Sequence, residues 1–162
     1  MAWAHFHPGA PVPELLRYVQ DRDLWRFALP DSRAITTALS SHPFDFAAWD
    51  ALDLDTLRRE GAPLLRMQEL QVERLLERAF WREVGGHSVP VVNTPLFASS
   101  LGNRLCEAFP EAPFAACYSD AAPNRRIWQL RSKGDFDVSE VAVRLGGGGH
   151  KNAAGFTERL GS

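Results

Sequence analysis

Apolar residues recur at helical spacing through the first half of the chain and give way to strand-like runs in the second. Leu15, Leu16, Tyr18 and Val19 follow Pro13 and Glu14 on one helical face. Asp31 and Ser32 stand where N-caps stand, ahead of a second helical run through Ile35, Ala38 and Leu39. His42-Pro43 breaks that run, and residues 44–52 read as a short aromatic helix. From Asp53 onward Leu54, Leu57, Leu64, Leu65, Val72, Leu75, Leu76 and Ala79 keep near-helical spacing. Gly61 and Pro63 interrupt it, so a kink is expected there, or a fresh helix with Pro63 as its first residue. Residues 1–6 are apolar and Trp-rich with no cap ahead of them, and read as the end of an element whose beginning is missing.

Near Phe80 the period shortens. Residues 80–84 and 87–92, joined by Gly85-Gly86, predict a β-hairpin. Residues 95–109 follow as a helix carrying Leu96, Leu101, Leu105 and Ala108. Residues 114–118 and 127–130 make a second strand pair across the turn-rich stretch 120–126. Asp137-Val138-Ser139-Glu140 fits a capping box for a helix over 138–145, which Gly146 ends as a left-handed stop. The pattern therefore predicts an α/β fold: a small mixed-sheet domain in the order ββα-ββα over residues 80–162. A helical segment over 1–55 and a long connecting helix over 56–79 precede it.

Composition changes this picture little. The chain has 162 residues, 45% hydrophobic and 23% charged, with a net charge of -2, so no overall basic excess advertises nucleic-acid binding. Cys106 and Cys117 form no Cys-x-x-Cys pair, which favours reduced thiols over a disulfide framework or zinc site. No apolar stretch is long enough to span a bilayer and no leader pattern is seen, so a cytoplasmic protein is expected. The scattered tryptophans read as packing residues.

The chemistry concentrates near the end. Gly146, Gly147, Gly148, Gly149 and His150 run together, followed by Lys151-Asn152-Ala153-Ala154-Gly155-Phe156. Each glycine costs roughly 0.5–1 kcal/mol of backbone entropy relative to alanine, so four in a row point to close approach of backbone to a ligand. Successive N–H groups make an anion cradle, and His150 adds a donor at its end. Residues 121–151 hold six basic side chains against three acidic ones, a local net of +3. Among them Arg131 is placed at a strand end to grip a phosphate, with Ser132 as a hydroxyl donor. Asp21-Arg22-Asp23 could offer oxygen ligands to Mg²⁺ or Mn²⁺, or simply be a charged helix end. His5 and His7 have no third ligand nearby in sequence and read as surface residues.

Taken together, Arg131-Ser132, the segment 137–142 and the run Gly146 to Phe156 closely resemble the DHH-associated C-terminal domain, the substrate-binding half of DHH-superfamily phosphoesterases. The resemblance covers roughly residues 80–162. It implies that the glycine loop, His150, Arg131, Ser132 and Asn152 hold the phosphates of a short oligonucleotide, nucleotide or other phosphate ester. In the intact family they do so against a Mn²⁺ (or Mg²⁺) centre in another domain. Asp21 resembles the last metal-binding aspartate of that catalytic domain, although Asp23 stands where relatives have glycine. The Asp-His-His string itself is absent. Hydrolysis by two metals needs several ligands, so the chain is expected to bind substrate without turning it over. A stand-alone nucleotide-binding module is the alternative. Apolar residues in 1–55 and 63–79 lead us to expect a homo-oligomer.

Overall fold

The computed structural model describes residues 2–121 and 123–161. It divides into two compact units, residues 1–69 and 70–162. The helical unit begins with the short helix α1 (Ala2–Phe6), then α2 (Glu14–Asp23), α3 (Ser32–Leu39) and α4 (Phe46–Asp50). Helix α5 (Leu54–Leu76) starts in this unit and ends in the next. Tyr18, Ile35, Ala38 and Leu57 form the helical unit's core.

Two expectations are corrected here. Asp31 occupies the cap position of α3 in a left-handed conformation (φ 55°) and makes no capping bond. Its carboxylate instead accepts from Arg58 Nε at 2.8 Å. Nor does a new helix begin at Pro63, because α5 runs through it unbroken. A proline inside a helix removes one backbone bond and costs about 3 kcal/mol. Burial on both sides of the proline offsets that cost, with Leu57 in the helical core and Val72 in the core of the following unit. Gly61 is a packing residue: a Cβ there would sit 2.0 Å from the Ala34 carbonyl oxygen.

The sheet unit contains β1 (Phe80–Val84), β2 (His87–Asn93), α6 (Ala98–Ala108), β3 (Ala115–Asp120), β4 (Arg125–Arg131), α7 (Val138–Arg144), β5 (Gly148–His150) and β6 (Ala153–Arg159). These strands form one six-stranded sheet in the order β1-β2-β3-β4-β6-β5. Among the described residues β2 and β3 pair in parallel and the other neighbours pair antiparallel. The mixed α/β class expected from the pattern is therefore found. The ββα-ββα order is extended by a third strand pair, β5–β6, which the glycine run had concealed. Gly85 and Gly86 both have positive φ (59° and 85°), the backbone that a two-residue hairpin turn requires. Helix α6 begins three residues later than Pro95, because Thr94 Oγ1 ties itself to both the N–H and the carbonyl of Leu96 and holds a turn there.

Each face of the sheet carries a helix layer. On one side Val92, Ala115 and Cys117 pack against Ala98, Leu101 and Leu105 of α6 and Val72 of α5. On the other, Trp128, Leu130 and Ala154 meet Val138, Val141 and Ala142 of α7. Side chains alternate along a strand, so Arg131, Gln129 and Ile127 of β4 share the α6 face, and Leu130 and Trp128 the α7 face.

Candidate phosphate-binding site

Helix α7 delivers the glycine run. Asp137 caps it, its carboxylate accepting from the Ser139 N–H at 2.8 Å. Bonds from the Ser139 hydroxyl, first, and from nearby amides hold the Asp137 carboxyl below the usual carboxylate range. At the other end Gly146 turns left-handed (φ 81°). Its N–H bonds the Val143 carbonyl, and the Gly147 N–H bonds Ala142 O at 2.7 Å. This pair of bonds is a Schellman stop, so the last carbonyls of α7 are satisfied and the chain leaves sideways.

The remaining glycines are not a free loop. Gly148 and Gly149 enter the edge strand β5, paired with Gly155 and Ala154 of β6. A Cβ on Gly147 would lie 2.0 Å from the Gly155 carbonyl oxygen, and one on Gly149 2.5 Å from Ala154 Cα. Gly148 differs: nothing lies within 4 Å of its added Cβ, so the space there is open.

Gly146, Gly147, Gly148, Gly149 and Arg131 line one cleft of about 510 Å³, with Gln129 and Gly155. His150 is exposed on β5, opposite Ala153, which in turn pairs with Arg131 on β4. Cross-strand neighbours therefore set Arg131, Ala153 and His150 in one row on one face.

Arg131 is half-buried. Its Nη2 donates to Ser99 Oγ at 2.7 Å and its Nη1 to the Leu130 carbonyl at 2.9 Å. Burial lowers its pKa from the ordinary arginine value, although a guanidinium stays charged. No carboxylate among the described residues pairs with it. The rest of the local basic cluster is largely neutralised: Lys133 meets Glu107 at 2.6 Å, Lys151 meets Asp135 at 3.2 Å, and Arg126 meets Asp120 at 2.7 Å. Gly102 lets Arg131 lie against α6, since a Cβ there would be 2.7 Å from the Arg131 Cγ.

Ser132 and Asn152 sit differently from the glycines. Ser132 is 3% exposed, and its hydroxyl donates toward the carbonyls of Phe136 (2.8 Å) and Lys151 (3.2 Å) while accepting from Asn152 Nδ2 at 3.1 Å. Lys151 O also accepts the first amide of α7, from Val138 N at 2.9 Å. The two polar residues thus tie the end of β4 to the β5–β6 turn, and the turn to α7.

Asp21 lies in the helical unit, 6% exposed. Its two oxygens accept the N–H groups of Ala28 (3.0 Å) and Leu29 (3.2 Å). The Ser32 hydroxyl beside it, first, and these amides hold its carboxyl below the usual range. That hydroxyl lies near the carboxylate but short of good hydrogen-bond geometry. Among the described residues no group of three or more His, Cys, Asp or Glu side chains could hold a metal ion. With Asp21 committed to backbone amides, the residues present do not fit a two-metal centre, and we assign no step of hydrolysis to them. Both cysteines are free thiols, and burial pushes Cys117 up to about 12. Among the described residues no helix is long and apolar enough to cross a membrane.

Sequence reading missed Ser99, Gly102 and Gln129. Gly102 had a signal, since a glycine inside a helix costs about 1 kcal/mol and calls for a packing reason. Gln129 had one too, two residues before Arg131 on a strand. Ser99 had none, because only the tertiary fold brings α6 to the end of β4.

No protein-family model matches the chain. It is 32% identical over 96% of its length to uncharacterized protein R106 of Acanthamoeba polyphaga mimivirus, of which the match spans 39%. A second match, 39% identical over 57% of the chain, is to oligoribonuclease NrnB of Bacillus subtilis (strain 168), spanning 24% of that protein. The matches thus cover well under half the length of these relatives. Among solved structures, the pGpG-specific phosphodiesterase PggH from Vibrio cholerae shares the fold at a TM-score of 0.53 and 10% identity, over 98% of this chain and 67% of that one. The chain is thus similar in sequence to an oligoribonuclease and in fold to a phosphodiesterase, relatives of the kind that the resemblance to DHH-superfamily phosphoesterases implies.

Proposed function

We propose that this chain is the substrate-binding part of a DHH-type phosphoesterase. It holds the phosphate of a short oligonucleotide, nucleotide or related ester through Arg131 and His150, beside the cleft that the glycine run lines; the Gly146 and Gly147 N–H groups stay on the Val143 and Ala142 carbonyls that end α7. The observation that carries this reading is Arg131: a half-buried cation with no carboxylate partner among the described residues, in the same cleft as four glycines. A buried charge needs compensation, and an anion entering the cleft supplies it. In this reading Ser132 and Asn152 act on the phosphate by fixing the β5–β6 turn. Residues 80–162 form the binding domain, 56–79 the connecting helix, and 1–55 the tail of a catalytic domain. The Mn²⁺ or Mg²⁺ that the resemblance implies is not assigned to Asp21, which serves the fold of its own unit.

The test is a calorimetric titration with a 5′-phosphorylated diribonucleotide. Removing a charged hydrogen bond costs about 1.5–3 kcal/mol, so Arg131→Ala should weaken binding tens-fold, with His150→Ala in the same direction. Unchanged affinity in both variants contradicts the reading.

A second reading, a stand-alone nucleotide-binding module, is favoured by a cleft formed wholly within one compact unit. Both readings expect no Mn²⁺-dependent hydrolysis of the dinucleotide by the purified chain. Robust turnover would contradict both. Exposed Phe44 and Phe46 in the helical unit, and Met67 and Leu70 on α5, support self-association. A strictly monomeric sedimentation profile at high concentration would contradict that.

A further inference from the structure

The cleft continues past the charged row. On the face shared with Arg131, the next position along β4 is Gln129, which pairs with Gly155 on β6, which pairs with Gly148 on β5. Two adjacent rows therefore lie on one face: Arg131–Ala153–His150, and Gln129–Gly155–Gly148. Successive same-face positions stand about 6.8 Å apart along a strand, and neighbouring strands about 4.8 Å apart. The first row is cationic and polar. The second has a carboxamide at one end and two residues without side chains at the other.

Three observations make that second row a site. Gln129 is half-buried and lines the cleft, and among the described residues no hydrogen bond occupies its carboxamide. Gly155 cannot gain a side chain, since its Cβ would stand 2.6 Å from the Trp128 carbonyl oxygen. Gly148 opens onto empty space. The result is a flat backbone floor beside one donor–acceptor pair, bounded beyond by Ile127 and Thr157. Glycine backbone admits a planar group at close approach, and a glutamine amide meets the edge of a nucleobase with two hydrogen bonds.

We infer that the Gln129–Gly155–Gly148 row is a nucleobase subsite, so that the cleft takes one nucleotide with its phosphate at Arg131 and its base against Gln129. The inference rests on the phosphate-binding reading above and sharpens it. The ligand is a nucleotide or an oligonucleotide end, rather than polyphosphate or a sugar phosphate. The separation of the rows suits one sugar between phosphate and base. Gln129 is a specificity-determining residue whose amide discriminates among bases.

The test compares the affinities of tripolyphosphate, ribose 5-phosphate and the four 5′-ribomononucleotides for the full chain and for Gln129→Leu and Gly148→Val. The wild type should bind its best mononucleotide about tenfold tighter than ribose 5-phosphate, with a several-fold spread among bases. Gln129→Leu should collapse that spread and leave ribose 5-phosphate affinity unchanged. Gly148→Val, which fills the open floor, should weaken nucleotides by a larger factor than the sugar phosphate. Equal binding of nucleotides and ribose 5-phosphate overturns the base subsite while leaving the phosphate grip intact. A base spread that survives Gln129→Leu overturns the role of Gln129. Failure of every phosphate probe to bind, with Arg131→Ala indistinguishable from wild type, overturns the phosphate reading and this inference with it.

Discussion

Asp21 and Arg131 are both charged side chains withdrawn from solvent, one in each unit, yet the fold treats them oppositely. Asp21 has its oxygens filled by the amides of Ala28 and Leu29, so its charge is spent holding the turn after α2. Arg131 is oriented by Ser99 and by a backbone carbonyl, both neutral, and has no carboxylate partner among the described residues beside a glycine-lined cleft. Whether a charge serves structure or ligand depends on what the surrounding fold leaves unsatisfied, and residue type alone does not reveal it.

The largest effect should come from the cradle itself. Gly147→Ala places a methyl group 2.0 Å from the Gly155 carbonyl, so β5 must shift from β6. Overpacking of this kind costs about 1–3 kcal/mol. A lower melting temperature and loss of diribonucleotide binding are expected, whereas Gly148→Ala should leave the melting temperature unchanged.

Arg131→Ala comes next, with the tens-fold affinity loss given above and a melting temperature near that of the wild type. A large destabilisation would mean that Arg131 is structural, like Asp21, and would erase the contrast between them. Asp21→Asn should do the reverse, lowering the stability of the helical unit in denaturant titration while diribonucleotide affinity stays put.

Gly102→Ala should have a smaller effect. Its methyl group crowds the Arg131 stem, which must move, and binding should weaken a few-fold with only a modest change in stability.

The smallest effect is a pH dependence. The folded Asp137 carboxyl is held below its unfolded value of about 3.9, so its cap contributes fully above that pH. The contribution fades as pH falls through the lower folded value. Asp137→Asn should therefore flatten the acid limb of a melting-temperature profile below about pH 4. An acid limb identical in both proteins would remove Asp137 from the support of the glycine run.

Much of the sheet unit was legible because its punctuation is chemical. Gly85-Gly86 demanded a hairpin, Asp137 a cap, and Gly146 a left-handed stop, and each is found there. The third strand pair was hidden because Gly148 and Gly149 have no side chains to show an alternating pattern, although their backbones pair with β6. Asp31 as a cap and Pro63 as a helix start misled for the opposite reason. Each carries a strong local preference, overridden by Arg58 in one case and by burial on both sides of the proline in the other. That Arg131 and the glycines share one cleft follows the sequence pattern. The support from Ser99 could not be read there, since it comes from a helix some thirty residues away, and Gly102 signalled close packing without naming its partner.

The most direct test of the contrast is a ¹⁵N spectrum recorded during titration with a 5′-phosphorylated diribonucleotide. The account predicts saturable shifts of the Gly146, Gly147, Gly148 and Gly149 amides and the Arg131 Nε–H, with Ala28 and Leu29, the amides held by Asp21, unmoved. Shifts centred on Ala28 and Leu29, with the glycine amides silent, would contradict it.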